Sequence, residues 1–395
     1  DKKRSTPEAT QAILDGLNWL GLGHDGETVF QSQNADRHIA AANQLLNSGH
    51  AYRCYLSAEE QAAEREQSRE EGRAFRSPYR DNSQAKDEPY VVRFKVPDGQ
   101  TTIHDEVMGE VTWDNTDFDD LILLRADGSP VYMLAVVVDD HDMGVTHIIR
   151  GDDHLTNAGR QTQIFKALGW DVPIFAHVPL IFGPDGKKLS KRHGALGVDA
   201  YADMGYLPAG LRNYLSRLGW AHGDMEVFTD AEITDVFSIS GINKSPARLD
   251  FDKMAYINGQ HIETANIDTL LQYGAAFIAD KNEGPLDPAQ ETRVLRALPI
   301  IKSRAKTMLE LADEVQFAML KRPLSITGKT KKSLRPDTEI RLKDLQFVLG
   351  ALKESDWNAQ TISKQLDAYL SANDIGFGKF TLTVFGKFTN VTTEK

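Results

Sequence analysis

The sequence predicts an α/β protein: a Rossmann-like parallel sheet, interrupted by an α+β insertion and followed by an all-α region. Three observations carry this. Continuous apolar runs at Tyr132–Asp140, Val145–Ile149 and Val172–Phe182 alternate with a helical pattern at Leu155–Leu168, as in a parallel sheet covered on both faces. Charged and strand-like segments precede them over about 51–130, and helical periodicity dominates from Ile262 onward.

Each element has a local reason. Ser5-Thr6-Pro7-Glu8 has capping-box spacing, with Pro inside the first turn of a helix running to Leu20. Gly21-Leu22-Gly23 closes it, and a second helix at Arg37–Asn47 leads to Gly49. Ser57–Gly72 is so highly charged that it reads as a solvated helix. Strands are expected at Tyr90–Val96, Thr101–Ile103 and Leu121–Leu124. The turn Asp127-Gly128-Ser129-Pro130 feeds a strand beginning at Tyr132. A further strand ends in Arg150-Gly151-Asp152-Asp153-His154, and the helix behind it stops at Gly169. Pro208–Leu218 places Leu211, Leu215 and Leu218 on one face of a helix. Later helices are expected at Ile267–Ala279, Pro288–Arg296, Ala305–Met319, Ile340–Leu352 and Thr361–Ala372.

Open parallel sheets bind ligands at the carboxyl ends of their strands. Arg150 to His154 lie at such an end, and Tyr132 opens its strand at the sheet edge. After the Val172–Phe182 run comes Gly183-Pro184-Asp185-Gly186, a turn that lets the basic loop Gly186–His193 (GKKLSKRH) swing away. A lysine-rich turn alone is most simply solvated surface; its flanks are what give this one meaning.

Those flanks, VYMLAVVVDDHDMGVTHIIRGDDHLTNAGRQ (131–161) and FAHVPLIFGPDGKKLSKRHGAL (175–196), resemble bacterial-type glutamyl-tRNA synthetase, a class I aminoacyl-tRNA synthetase. Residues 205–224 and the region around Phe251–His261 are similar to the same family, and the likeness runs from residue 1 to about 378. Lys188-Leu189-Ser190-Lys191-Arg192 is a variant of that class's KMSKS loop. The resemblance implies that Lys188, Ser190 and Lys191 are catalytic. Leu180, Ile181, Lys188, Leu189, Ser190, Lys191 and Arg192 would bind ATP. Attack on the ATP α-phosphate builds negative charge on the leaving pyrophosphate, which a closing loop of ammonium groups can stabilise. It further implies that Tyr132, Arg150 and His154 bind glutamate, Arg150 pairing with a carboxylate of the substrate, for which a fixed fork of donors suits better than a lysine. Asp1 and Arg4 match positions near the 3′ end of tRNA. The cofactors implied are ATP and the Mg2+ that accompanies it; the partners are tRNA(Glu), glutamate and ATP, with a cytoplasmic monomer expected.

The same resemblance divides the chain. Residues 1–50 would end the first half of the catalytic domain, 51–130 form the acceptor-stem insertion and 131–195 the second half with its KLSKR loop. Residues 196–261 would be a linking helical domain, and 262–395 an α-helical anticodon-binding domain, altered at its end. Two departures stand out. The family's HIGH signature has no counterpart, since no HxGH pattern occurs in 395 residues. The chain is therefore expected to open in mid-domain. Near the end, Phe377–Thr381 recurs at Phe385–Thr389 where the family continues differently.

Composition narrows the classes. Hydrophobic content of 41% and charged content of 26% are those of a soluble globular chain with room for several domains. No apolar run approaches the roughly 20 residues of a membrane span, so no membrane partner is expected. A single cysteine, Cys54, excludes an internal disulfide and argues against structural zinc. Asp139, Asp140 and His141 could suggest a metal site, but they simply end an apolar run. The net charge of −12 argues against tight non-specific nucleic-acid binding, yet allows a basic face. Lys302, Arg304, Lys306, Lys321, Arg322, Lys329, Lys331, Lys332, Arg335, Arg341 and Lys343 concentrate late in the chain, as a tRNA-facing surface or a merely solvated one. Three other functions are weighed. Glutaminyl-tRNA synthetase carries β-barrel anticodon domains, against the helical last third here. The short relative that glutamylates queuosine lacks that region altogether. A synthetase-derived binding protein without catalysis is suggested by the absent HIGH pattern and opposed by the retained Tyr132, Arg150, Lys188 and Lys191.

Overall fold

A computed structural model describes residues 6–82, 85–183, 185–189, 197–320 and 338–376. The chain divides into two compact units, Asp1–Gly197 with Arg212–Phe251, and Val198–Leu211 with Asp252–Lys395.

The first unit is α/β. Helices α1 (Pro7–Trp19) and α2 (Ala35–Asn47) lead to strand β1 (Ala51–Cys54) and helix α3 (Ala58–Glu70). Strands β2 (Val91–Phe94), β3 (Gln100–Asp105), β4 (Gly109–Asp114) and β5 (Ile122–Leu124) follow. Then come α4 (Tyr132–Asp142), β6 (His147–Gly151), α5 (Leu155–Leu168), β7 (Ile174–Val178) and β8 (Ile181–Phe182). After residue 211 the unit gains α7 (Pro208–Gly219, which starts before that boundary), α8 (Asp230–Val236) and β9 (Ala247–Arg248).

Its main sheet has the order β4-β3-β7-β6. The pairs β3–β7 and β6–β7 are parallel, with Asp105 opposite Phe175 and Arg150 opposite His177, while β4 is an antiparallel edge. The parallel sheet read from the apolar runs is thus present, and β3, from the stretch read as an insertion, is hydrogen-bonded within it. A second sheet, β1-β2-β5, is antiparallel. It closes over a buried polar knot: the Asp120 carboxylate accepts from Tyr52 Oη (2.9 Å), Arg80 Nη1 and the Val96 N–H. Burial, then the Asp120 charge, pushes the Tyr52 phenol far above its usual value.

Three local expectations meet different outcomes. Tyr132–Asp140 is not a strand but the first nine residues of α4. A continuous apolar run cannot by itself separate the two. Here Leu134, Val137 and Val138 are wholly buried and the helix packs against α2 and α5, so tertiary burial overrides the β preference of three valines. The first helix is capped by Thr6, whose Oγ1 accepts from Ala9 N–H, so the box spacing counted from Ser5 is one residue out of register. The charged segment from Ser57 does fold as a solvated helix, closed by a reciprocal Ser57–Glu60 capping box.

The second unit is helical among its described residues: α6 (Val198–Asp203), α9 (Phe251–Thr264), α10 (Ile267–Lys281), α11 (Pro288–Ile301), α12 (Met308–Met319), α13 (Thr338–Gly350) and α14 (Ala359–Ala372). Leu270, Ile278, Val294, Leu298, Leu311 and Val315 form its core. Gly205 sits at φ +80°, and a Cβ there would lie 2.8 Å from Leu309 N and 2.9 Å from Met308 N, so the chain can cross α12 at this point only as glycine.

Candidate nucleotide and amino-acid site

The carboxyl ends of β3, β7 and β6 carry Asp105, His177 and Arg150 side by side. Arg150 and His177 are register partners on neighbouring parallel strands, so their side chains share a face of the sheet. Arg150 Nε donates to His177 Nε2 (3.2 Å) and Nη2 donates to Gln161 Oε1 (2.7 Å) and to the His154 carbonyl (3.3 Å). An arginine can only donate. His177 Nε2 must therefore be bare, and the ring proton sits on Nδ1, which donates to Asp105 Oδ2 (2.6 Å). Both side chains are fully buried. The other carboxylate oxygen of Asp105 accepts three backbone N–H groups, from Val107, Met108 and His177. Burial pushes the Asp105 carboxyl up, but the hydrogen bonds from Met108, the His177 ring, and the His177 and Val107 amides outweigh it and hold the group below its usual range.

Tyr132 stands at the first residue of α4, half exposed and close to Arg150. Burial lowers the Arg150 pKa, while the nearby Tyr132, Asp140 and Asp105 raise it. Burial likewise raises the Asp140 carboxyl, against the pull of Arg150. Among the described residues no carboxylate lies within ion-pair distance of Arg150. His154 ends a short 3-10 turn (Asp152–His154) leading into α5, where Asn157 Nδ2 donates to its Nδ1 (3.0 Å). Strand, helix start and turn thus deliver Arg150, Tyr132 and the His154 backbone to one place, although Tyr132 arrives from a helix rather than a strand.

Beside them opens a cleft of about 450 Å³, lined by Ile149, Arg150 and Gly151 from β6, Val178–Ile181, and Lys188 and Leu189. The size suits a small-molecule ligand. The turn after β8 folds back on it: Phe182 bridges Lys188, Leu189 N–H donates to the Ile181 carbonyl, and β8 pairs in parallel with β9. Lys188 Nζ reaches Asp153 Oδ2 at 3.0 Å, and that hydrogen bond holds the Asp153 carboxyl below its usual range. Leu180, Ile181, Lys188 and Leu189 are therefore gathered with Arg150 around one opening. Ser190, Lys191, Arg192, Asp1 and Arg4 lie outside the described residues, as do Lys321 to Arg335 and the repeat after Gly376.

Asp139 accepts from His38 (2.7 Å), Gln31 (3.0 Å) and Asn34 (3.1 Å), and His141 stacks on Trp170. These groups are occupied by the packing of α2 on α4. No cluster of three His, Cys, Asp or Glu that could hold a metal occurs among the described residues. Reasoning from the sequence missed His177, Asp105 and Gln161. A histidine inside the apolar run Ile174–Val178 was the available signal; its partner lies 72 residues away.

A parallel α/β sheet with a lysine-bearing turn and a cation at its strand ends has the architecture of a nucleotide-binding domain. Residues 1–256 match the family described as tRNA synthetases class I (E and Q), catalytic domain, and residues 268–389 match the anticodon binding domain family. The chain belongs to the class I tRNA synthetases of the glutamate and glutamine group. It is 52% identical to glutamate–tRNA ligase 2 of Maricaulis maris over 385 residues, covering 96% of this chain and 80% of that one. It is 50% identical to glutamate–tRNA ligase of Caulobacter vibrioides over 391 residues, covering 98% and 83%. Among solved structures it is similar to a glutamate tRNA ligase of Elizabethkingia meningosepticum in complex with its amino acid, with a TM-score of 0.80 at 26% identity, covering 98% of this chain and 85% of that one.

Proposed function

We propose that this chain is a glutamate–tRNA ligase that activates glutamate with ATP and transfers it to the 3′ end of tRNA(Glu). The observation that carries the reading is the juxtaposition of Arg150, half-buried, cationic and unpaired by any described carboxylate, with a cleft edged by Lys188. The relatives named above support glutamate over glutamine.

In this mechanism Arg150 and Tyr132 hold a carboxylate of glutamate, and His154 flanks it. The α-carboxylate attacks the α-phosphate of ATP, forming glutamyl-adenylate and releasing pyrophosphate. Lys188 and Lys191, with Ser190 and Arg192 in the same loop, stabilise the charge that develops on the leaving group. A terminal ribose hydroxyl of tRNA then attacks the acyl carbonyl and AMP leaves. Positioning and charge stabilisation supply the rate, without a covalent enzyme intermediate. Mg2+ would enter with ATP; the described residues include no three-ligand cluster of their own for it.

The remaining assignments rest on the same reading: residues 51–130 at the acceptor end with Asp1 and Arg4, 196–261 as a helical link, and 262–395 at the anticodon. A cytoplasmic monomer completes it. No helix among the described residues is long and apolar enough to cross a membrane.

The test is charging of tRNA(Glu) by the 395-residue chain with ATP and magnesium, beside Lys188→Ala and Lys191→Ala. Glutamate transfer that each substitution cuts at least about a hundredfold is the expected result. Transfer of glutamine instead, or tRNA binding with no transfer, would overturn the proposal.

A further inference from the structure

We propose that His177 is the positioning residue for Arg150, held in one tautomer by Asp105, and that this relay makes the site accept a carboxylate. The inference rests on the reading of Arg150 as the group that receives a carboxylate of glutamate.

An arginine on a strand has four side-chain torsions, and ordering them costs rotamer entropy. Here four contacts order them before any ligand arrives. His177 takes Nε, Gln161 (2.7 Å) and the His154 carbonyl (3.3 Å) take Nη2, and the ring of Phe175 lies 5.7 Å from the guanidinium carbon. With Nε and both hydrogens of Nη2 engaged, the guanidinium plane is fixed and Nη1 is left to donate to a carboxylate oxygen.

What touches the guanidinium matters as much as where it is held. A carboxylate in the His177 position would fix Arg150 equally well but would neutralise it. A bare imidazole nitrogen fixes it and leaves the charge to the substrate. The imidazole can play that part only with its proton on Nδ1. Asp105 imposes this: Oδ2 lies 2.6 Å from Nδ1, while Oδ1 is pinned by three backbone N–H groups and cannot turn away. With the other tautomer, an N–H would point at the Nε–H of Arg150. Gln161 shows the same bias, presenting its oxygen to Arg150 although its Nε2 is then buried without a partner. Asp105, His177 and Arg150 come from β3, β7 and β6, so the relay crosses three parallel strands at their carboxyl ends.

Two substitutions separate this role from a merely structural one. In His177→Asn the amide nitrogen can replace Nδ1 and still donate to Asp105, but nothing reaches Arg150. In His177→Gln the amide oxygen can replace Nε2 and accept from Arg150, while the bond to Asp105 is lost. Glutamate affinity of the full chain would be measured by titration calorimetry, beside Arg150→Ala, with KM for ATP followed in the charging assay. The expected result is that His177→Asn weakens glutamate about tenfold or more, as for loss of a hydrogen bond to a charged group. His177→Gln should recover most of that, and KM for ATP should stay unchanged in both. Glutamate binding to His177→Asn as to the unaltered chain, or His177→Gln no better than His177→Asn, overturns the inference. If Arg150→Ala binds glutamate normally, or the unaltered chain does not bind it, the carboxylate reading falls and the inference with it. Strong weakening in Arg150→Ala with none in His177→Asn overturns the inference alone. Nitrogen NMR of His177 in the unaltered protein needs no variant to fold. A protonated Nδ1 beside a bare Nε2 is expected, and a proton on Nε2 overturns the relay. Asp105→Asn should move the proton to Nε2 and weaken glutamate as His177→Asn does.

Discussion

Gly159→Ala tests how tightly α5 is set against its neighbours. A Cβ on Gly159 would stand 2.9 Å from Phe118 Cζ, 2.9 Å from Trp113 Cε3 and 3.1 Å from Trp113 Cζ3. Ordinary contact begins at 3.4 Å, so both rings would have to give by about 0.5 Å. Phe118 has little room to do so. Phe118 is 2% exposed, its ring lies 6.0 Å from that of Trp113, and the Arg160 guanidinium sits 5.2 Å from its centre. Replacing glycine by alanine inside a helix gains about 1 kcal/mol of propensity, whereas overpacking a filled site costs about 1–3 kcal/mol. The net expectation is a loss of about 1–2 kcal/mol, which lowers Tm by about 2–8 °C in a unit of this size. Gln161 lies two residues further along α5 and holds Arg150, so a displaced helix should also raise the KM for glutamate severalfold while sparing ATP. Thermal unfolding followed by circular dichroism, with charging kinetics at several glutamate concentrations, provides both readings. A Tm equal to or above that of the unaltered chain would show that the rings yield and that the reasoning is wrong. Non-additivity is a further check, since Phe118→Leu should cost less in the G159A background than alone.

Two other outcomes follow from charges at the site. The folded-state pKa of Asp105 is depressed, so its contribution to stability is complete above its ordinary value of 3.8 and is lost as the pH falls through the lower, folded-state value. Urea midpoints measured from neutral pH downward should therefore fall less steeply below about pH 4 in Asp105→Asn than in the unaltered chain; identical slopes would contradict this. Lys188 is held by Asp153 at 3.0 Å in a largely exposed pair, which must part before the lysine reaches a phosphate. Asp153→Asn should lower the KM for ATP, by no more than about fivefold because such pairs are weak. A rise in that KM would mean that Asp153 serves the nucleotide itself.

Much of the architecture was legible in local patterns. The apolar run at Val172–Phe182 contains β7 and β8, Gly169 ends α5 in the left-handed conformation at φ 75°, and the charged segment after Ser57 is a capped, solvated helix. The run from Tyr132 was misread because apolar continuity is shared by buried strands and buried helices. What separates them is the set of surfaces against which the segment packs. Leu134 and Val138 lie four residues apart, and both are buried in the core that α2 and α5 help to form.

The candidate site divides in the same way. Arg150, Tyr132 and Lys188 stand out in the sequence because they lie in a recognisable order along one stretch of chain, at the expected end of a strand or in a glycine-flanked turn. His177 and Asp105 do not, because neither has a local pattern that distinguishes it from an ordinary buried polar residue. By itself the sequence determined the alternation of strands and helices, the helical last third, the basic turn and the family likeness, all of which are encoded by neighbours along the chain. Only the tertiary structure decided that β3 lies beside β7 and β7 beside β6. That pairing brings residues 105, 150 and 177 into one hydrogen-bonded relay. It depends on which strands bury which faces together, and so on contacts between residues far apart in the chain.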